Sequence, residues 1–176
     1  MKLIFKSLLI FLFFVLSVLV FLPKENLYCL ALEKLQNEKI LINSKSIKDE
    51  LLSLNINNSI IYYDGIQACK VSSVGINLYL FENSVNIYNI RLDDMMKQFL
   101  PPKIKSLNIS HSLFNPLIIN INANLIQAKA YGSFDISTST LTLYIKPSKH
   151  FVKSYKKLLL NMIKQENGEY KIEYKL

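Results

Sequence analysis

The chain has no tryptophan, four glycines, two cysteines and two histidines in 176 residues. Gly65, Gly75, Gly132 and Gly168 are isolated from one another, so no glycine-rich loop is available to cradle a phosphate. Neither histidine has cysteine, aspartate or glutamate at metal-ligand spacing, whereas a zinc site needs three or four such ligands. Two cysteines are too few for a disulfide framework. We therefore expect no catalytic, metal or cofactor site, and a protein that is not an enzyme.

Arginine is also nearly absent. Arg91 is the only arginine among 21 basic residues, and with 13 acidic residues the formal net charge is +8. The lysines are scattered along the chain, and arginine is the residue that most often reads base edges. The basic balance therefore does not predict a nucleic-acid partner.

One long apolar run stands at the start of the chain. Leu3–Leu22 contains a single charge, Lys6, and twenty helical residues at about 1.5 Å each match a hydrocarbon core of roughly 30 Å. A cleaved signal peptide is the alternative, but it needs small residues at its cleavage site. The exit Val20–Lys24 has none. The sequence favours an uncleaved signal anchor, a transmembrane helix over residues 1–23, followed by an exported body over residues 24–176.

Charge around this run predicts its orientation. Lys2 and Lys6 precede it, whereas Lys24 beyond it is balanced by the glutamate that follows. Positive charge stays on the cytoplasmic side of a membrane. In a bacterium the protein would then be a single-pass inner-membrane protein, with a cytoplasmic N-terminus and a periplasmic body.

Two segments of the body have the helical period. Glu25–Asn37 is amphipathic and Asn26 could cap it; it would pack on the domain or lie in the membrane interface. Ser148–Gln165 fits the i, i+3, i+4, i+7 pattern and is expected to pack on the body. Its packing face comprises Phe151, Tyr155, Leu159 and Met162. A short helix over Asp93–Phe99 is also expected, stopped by Pro101-Pro102.

The remainder has the period of two that is typical of strands. Alternation is clear over residues 74–81, 140–145 and 170–176, and less regular runs lie at 54–62, 66–71, 84–92, 104–109, 117–121 and 125–134. Asp64-Gly65 predicts a hairpin. The apolar set changes parity at Tyr88 and at Leu125-Ile126, which requires a bulge or a turn, and Asn122–Asn124 could supply the second. Because no long helices separate the strands, the pattern predicts a mainly antiparallel sheet.

Two sets of residues are candidates for specific roles. In an oxidising compartment Cys29 and Cys69 can form a disulfide, although free buried thiols are the open alternative. The polar side of Ser148–Gln165 is rich in lysine, which is either a solvated face or a contact for anionic headgroups at about 1 kcal/mol per lysine. These lysines are Lys149, Lys153, Lys156, Lys157 and Lys164.

The order of motifs resembles a known family. After the signal anchor come Pro23-Lys-Glu-Asn-Leu-Tyr28, Ile60-Ile-Tyr-Tyr-Asp-Gly-Ile66, Ala130-Tyr-Gly-Ser-Phe-Asp-Ile136 leading into Leu141–Ser148, and Glu166-Asn-Gly-Glu-Tyr170. This order is similar to the small GspN-type proteins of type II secretion and to the AsmA-like membrane-anchored periplasmic proteins. The resemblance implies a long, curved antiparallel sheet with an apolar concave face, and a role in secretion-platform assembly or in lipid transfer.

We therefore expect a mainly β protein with a few amphipathic helices and a non-enzymatic function. The first hypothesis is that the periplasmic domain serves a secretion or envelope-assembly complex. The alternative is a lipid-binding or lipid-transfer module of AsmA-like type. The partners would be the membrane, through the N-terminal helix, together with envelope or secretion proteins, or lipid. An open apolar groove would favour lipid, and a filled core would favour a scaffold.

Overall fold

A computed structural model describes residues 2–94 and 100–175. The helices are α1 (Lys2–Phe21), α2 (Lys24–Asn37), α3 (Lys149–Ser154) and α4 (Lys156–Leu160). The strands are β1 (Ile40–Asp49), β2 (Ser53–Tyr63), β3 (Ile66–Leu78), β4 (Glu82–Leu92), β5 (Lys103–Ser112), β6 (Asn115–Leu125), β7 (Ala128–Asp135), β8 (Thr140–Pro147), β9 (Ile163–Lys164) and β10 (Tyr170–Lys175). The chain is mainly β, as the sequence predicts.

The strands form one open antiparallel sheet in the order β1-β2-β3-β4-β5-β6-β7-β8-β10-β9. Every pair of neighbouring strands in this order is antiparallel, which confirms the predicted antiparallel arrangement. Asp64 and Gly65 have φ values of 51° and 78°, as a tight hairpin between β2 and β3 requires. The turns after β1, β3, β5 and β7 lie at one end of the sheet, here the near end. The C-terminal ends of β2, β4 and β6 lie at the opposite, far end.

Cross-strand register gives the sheet one apolar and one polar face. Residues directly opposite each other in antiparallel strands point to the same side. One row on the apolar face runs through Leu54, Ile76, Val85, Ile109 and Ile121. The adjacent row, on the polar face, contains Asn55, Gly75, Asn86, Asn108 and Asn122.

A crease crosses the first five strands. The register assigns no cross-strand partner to Lys45, Asn58, Ser72, Asn89 or Lys105, which occupy one aligned row. Asn58 and Asn89 have φ values of 53° and 52°. Two consecutive residues of each strand therefore face the polar side, and the apolar residues beyond them return to the apolar face. The parity change predicted at Tyr88 is this crease, which ends in a register shift between β5 and β6.

Helices cover the two lateral margins of the sheet. At one margin α2 packs on β1 and β2, where the Tyr28 and Ser44 hydroxyls lie 3.4 Å apart. At the other margin Phe151, Leu159 and Ala128 form a buried cluster against which Tyr155 and Met162 pack. The predicted packing face of this region is thereby confirmed.

Several local predictions are wrong. Residues 148–165 do not form one helix: α3 ends at Ser154, α4 ends at Leu160, and Ile163–Lys164 forms β9 beside β10. Two short helices satisfy the same apolar spacing, and the backbone of residues 163–164 gains strand pairing instead. Likewise, Asn122–Asn124 is no turn but part of β6, because its backbone pairs in register with β7.

Three further points concern the start of α2, strand β1 and the segment after β4. The N-terminal cap position of α2 is occupied by Pro23 and not by Asn26. Strand β1 was not predicted, since its serine and lysine content obscures the alternation; such polar composition suits a strand at the margin of a sheet. The short helix predicted over Asp93–Phe99 lies largely outside the described residues.

Candidate functional site

The most prominent surface feature is a set of half-buried aliphatic side chains on the apolar face, between the crease and the near end. We call it the open apolar surface. Its members come from four adjacent strands, β3 to β6. They are Val74, Ile76, Val85, Ile87, Leu107, Ile109, Ile121 and Ala123.

Register explains why these side chains lie together. Val74 pairs with Ile87, which pairs with Leu107, and Leu107 pairs with Ala123. The second row, through Ile76 and Ile109, lies two residues nearer the near end. Opposed side chains on one face are only about 4.5–5.5 Å apart at their Cβ atoms, so the eight form a continuous patch.

Within the described part of the chain, no helix covers this patch. Helix α2 packs on β1 and β2, and the cluster of α3 and α4 packs on Leu125, Ala128, Ile145 and Tyr170. Seven hydrophobic residues are buried among the described residues, and none belongs to the open apolar surface. Burying one aliphatic side chain completely contributes about 1.5–3 kcal/mol. A patch of this size therefore favours binding of an apolar molecule.

The polar face, by contrast, satisfies its own hydrogen bonds. Asn108 Nδ2 donates to Asn86 Oδ1 at 2.8 Å, and Asn124 Nδ2 donates to Ser106 Oγ at 3.0 Å. No buried side-chain nitrogen or oxygen of the described residues lacks a hydrogen-bond partner. The amide ladders thus stabilise the sheet and leave no buried polar group aimed at a ligand.

One carboxylate on the polar face, that of Glu169, accepts hydrogen bonds from two side chains. Tyr131 Oη donates to Glu169 Oε2 at 2.6 Å, and the Tyr131 and Tyr144 rings stack at 5.3 Å. The hydrogen bond from Tyr131 is the main cause of a lowered pKa for Glu169, and it raises the pKa of Tyr131. Asn167 Nδ2 donates to the same carboxylate oxygen at 3.0 Å. The Glu169 carboxylate therefore has a structural role.

Two clefts beside the crease are lined by basic side chains. The larger, of about 740 Å³, includes Lys105, Lys129 and Lys146; the smaller, of about 340 Å³, includes Lys45, Lys70 and Arg91. Neither lining contains histidine, cysteine, aspartate or glutamate. The ionisable side chains that line the two clefts are therefore all basic. Sequence reasoning missed these clefts, because residues from several strands line each of them and come together only when the strands pair in register.

The residues singled out from the sequence do not converge. Cys29 is an exposed free thiol on α2 and Cys69 is a half-buried free thiol on β3. Burial raises the pKa of the Cys69 thiol. The five exposed lysines follow Pro147 at the far end of β8 and extend into β9. They are Lys149, Lys153, Lys156, Lys157 and Lys164. No group of three potential metal ligands occurs among the described residues.

The N-terminal helix α1 projects most of its apolar side chains into solvent. Ile4, Phe13 and Phe21 are examples, the last with 83% of its surface exposed. By combined length and hydropathy, no helix in residues 2–94 and 100–175 qualifies as a membrane span. The junction after α1 is fixed, because Lys24 Nζ lies 2.9 Å from Asp49 Oδ1 and is buried.

Comparisons with protein-family models, with curated proteins and with solved structures find no match to this chain.

Proposed function

We propose that this protein is a membrane-anchored, non-enzymatic lipid-binding module, in which the open apolar surface holds acyl chains of lipids. The observation that carries the proposal is that eight aliphatic side chains on four adjacent strands stay half-buried without a covering element in the described chain. Acyl chains suit this patch because its eight side chains are all aliphatic, and no buried side-chain nitrogen or oxygen of the described residues is left without a partner to orient a compact polar ligand. The resemblance to AsmA-like proteins is part of this proposal.

The proposal includes an anchor and a location. Helix α1 is 20 residues long, and its exposed side chains Phe5, Ile10 and Phe13 have no protein surface to cover them. A bilayer provides that cover. With positive charge retained in the cytoplasm, the sheet lies on the exported side, which is the periplasm in a bacterium.

The second candidate is a subunit of a secretion or envelope-assembly complex of GspN type. The same uncovered patch favours it, since an apolar surface of this kind is also typical of a protein–protein interface. In that case a partner protein, rather than lipid, occupies the open apolar surface.

Lipid extraction from the full-length protein purified in mild detergent distinguishes the two. Ile109→Asp places a charge at the centre of the open apolar surface, and Ser110→Asp places the same charge on the opposite face of the same strand. We expect wild type and Ser110→Asp to carry equal lipid by mass spectrometry, and Ile109→Asp to carry several-fold less. Equal lipid in all three proteins would contradict sheet binding. A stoichiometric protein that is lost only from Ile109→Asp would favour the second candidate.

The anchor has its own test. Membranes containing the full-length protein are extracted with alkaline carbonate, and the N-terminus of the retained protein is read by mass spectrometry. We expect retention in the membrane fraction with Met1–Pro23 intact. Release of a product that begins near residue 24 would show that the segment is a cleaved signal.

A further inference from the structure

Three successive turns at the near end carry exposed apolar side chains at their tips. They are Leu51 after β1, Tyr79 and Phe81 after β3, and Leu113 and Phe114 after β5. Phe114 is the most exposed of them, at 82%. We call these five side chains the apolar tips. A turn ordinarily favours small or polar residues, so five large apolar side chains here are not explained by turn formation.

The tips of two turns are fixed relative to each other. The backbone N–H of Leu113 donates to the carbonyl of Phe81 at 2.9 Å, and the Phe81 and Phe114 rings stack with centroids 5.7 Å apart. The two turns therefore present one ledge of aromatic and aliphatic surface.

Helix α1 joins the body at this same end of the sheet. Asp49, the last residue of β1, forms an ion pair with Lys24, the first residue of α2 and the third residue after α1. The Lys24 ammonium also donates to the Leu22 carbonyl at 3.3 Å. This buried link places the exit of α1 beside the turn that carries Leu51, and hence at the end of the sheet that carries the apolar tips.

Charge identifies the surface that would receive the tips. The near end beside them contains the acidic residues Glu50, in the turn after β1, and Glu82, the first residue of β4, whereas the five lysines after Pro147 begin at the far end. Contact driven by anionic headgroups would require the reverse arrangement. Aromatic side chains are enriched at the membrane–water interface, where apolar groups enter the boundary of headgroups and acyl chains.

We infer that the apolar tips insert into the interface of the same bilayer that holds α1, so that the sheet stands with its near end on the membrane. This inference rests on the proposed anchor. It adds an orientation in which the open apolar surface faces the exported side one residue row away from the near end, beyond Leu78, Asn83, His111 and Ile119, and receives acyl chains from the bilayer.

Because the chain has no tryptophan, single substitutions give unambiguous reporters in the full-length protein. Phe114→Trp and Phe81→Trp report on the tips, Phe13→Trp reports on α1, and Tyr63→Trp reports on the far end. Each side chain is exposed, so the substitutions leave packing intact. The variants are reconstituted in vesicles of phosphatidylcholine with and without bromine on the acyl chains, and tryptophan emission is compared.

We expect brominated lipid to lower the emission of Phe13→Trp strongly and of both tip variants roughly twofold, since interfacial groups lie about 5–10 Å into the headgroup–acyl boundary. Tyr63→Trp should be unchanged, and adding anionic lipid should alter none of these results. If Phe13→Trp is quenched while the tip variants behave like Tyr63→Trp, the inference is wrong and the anchor stands. Quenching of none of the variants would contradict both. Quenching of Tyr63→Trp as strong as that of Phe114→Trp would contradict the orientation.

Discussion

Gly132 in β7 provides the sharpest test of the sheet register. An alanine Cβ at this position would lie 2.0 Å from the carbonyl oxygen of Thr142 and 2.9 Å from the Cα of Leu143, both in the backbone of β8. Ordinary contacts between carbon and a carbonyl oxygen are about 3.3–3.6 Å. Strands β7 and β8 would therefore have to separate by more than about 1 Å to accept Gly132→Ala, which disrupts the hydrogen bonds between them.

The cost follows from these contacts. Overpacking costs about 1–3 kcal/mol, and each lost backbone hydrogen bond adds about 1 kcal/mol, so we expect Gly132→Ala to lower the free energy of unfolding by about 2–4 kcal/mol. The matched control is Gly75→Ala in β3, whose added Cβ would lie 3.4 Å from a side-chain oxygen of Asn55. Relief of glycine's backbone entropy should make this variant neutral or more stable by about 0.5–1 kcal/mol.

Urea unfolding of the full-length protein in mild detergent, followed by far-UV circular dichroism, measures both variants. The expected result is a clearly lower midpoint for Gly132→Ala and an unchanged or higher one for Gly75→Ala. If the two variants unfold at the same urea concentration, the close approach of β7 to β8 at Gly132, and with it the register of that strand pair, is refuted.

Three further predictions use the same unfolding assay. Leu159→Asp should lower the free energy of unfolding by about 3–5 kcal/mol, because it buries an unpaired charge in the cluster of α3 and α4. The control Leu160→Asp changes an exposed side chain and should cost about 0.5 kcal/mol or less. Similar unfolding midpoints for the two variants would contradict the packing of Leu159. Asp49→Asn leaves the buried Lys24 ammonium without a counter-charge, and because the Asp49 side chain itself is 34% exposed, the change should cost about 1.5–3 kcal/mol. Asp64→Asn, in an exposed pair, should cost less than about 1 kcal/mol, and equal losses would contradict the burial of Lys24. The lowered pKa of Glu169 gives stability that is present above the ordinary glutamate pKa of about 4.3 and is lost as the pH falls through the lower folded-state value. Acid should therefore destabilise wild type more than Glu169→Gln, and parallel pH profiles would argue against this coupling.

Local pattern was enough to predict much of the molecule. The Asp64-Gly65 hairpin, helix α2 and the buried face through Phe151 and Leu159 each depend on residues close in sequence. Backbone geometry and apolar periodicity act at that range. All residues of the open apolar surface except Ala123, which lay in a predicted turn, could also be assigned to strands in this way. What covers these residues could not be predicted, because a period of two indicates which side chains share a face of the sheet but not what lies over that face.

The errors have the same origin. Residues 161–165 have helical spacing, yet Ile163–Lys164 pairs with β10 because a strand is within reach there. Strand β1 has a weak alternation of its own and is specified by the neighbouring β2, to which it hydrogen-bonds along its length. Pairing energy between segments outweighed local preference in both places.

The sequence by itself determined the composition of the faces, the apolar N-terminal helix and the mainly antiparallel β architecture, since these follow from short-range spacing. Only the tertiary structure decided the crease through Lys45, Asn58, Ser72, Asn89 and Lys105, the absence of a covering element over the open apolar surface within the described residues, and the gathering of three apolar turns beside the end of α1. Each of these requires the register of strands far apart in the chain. Register is a property of inter-strand hydrogen bonds, which no single segment contains.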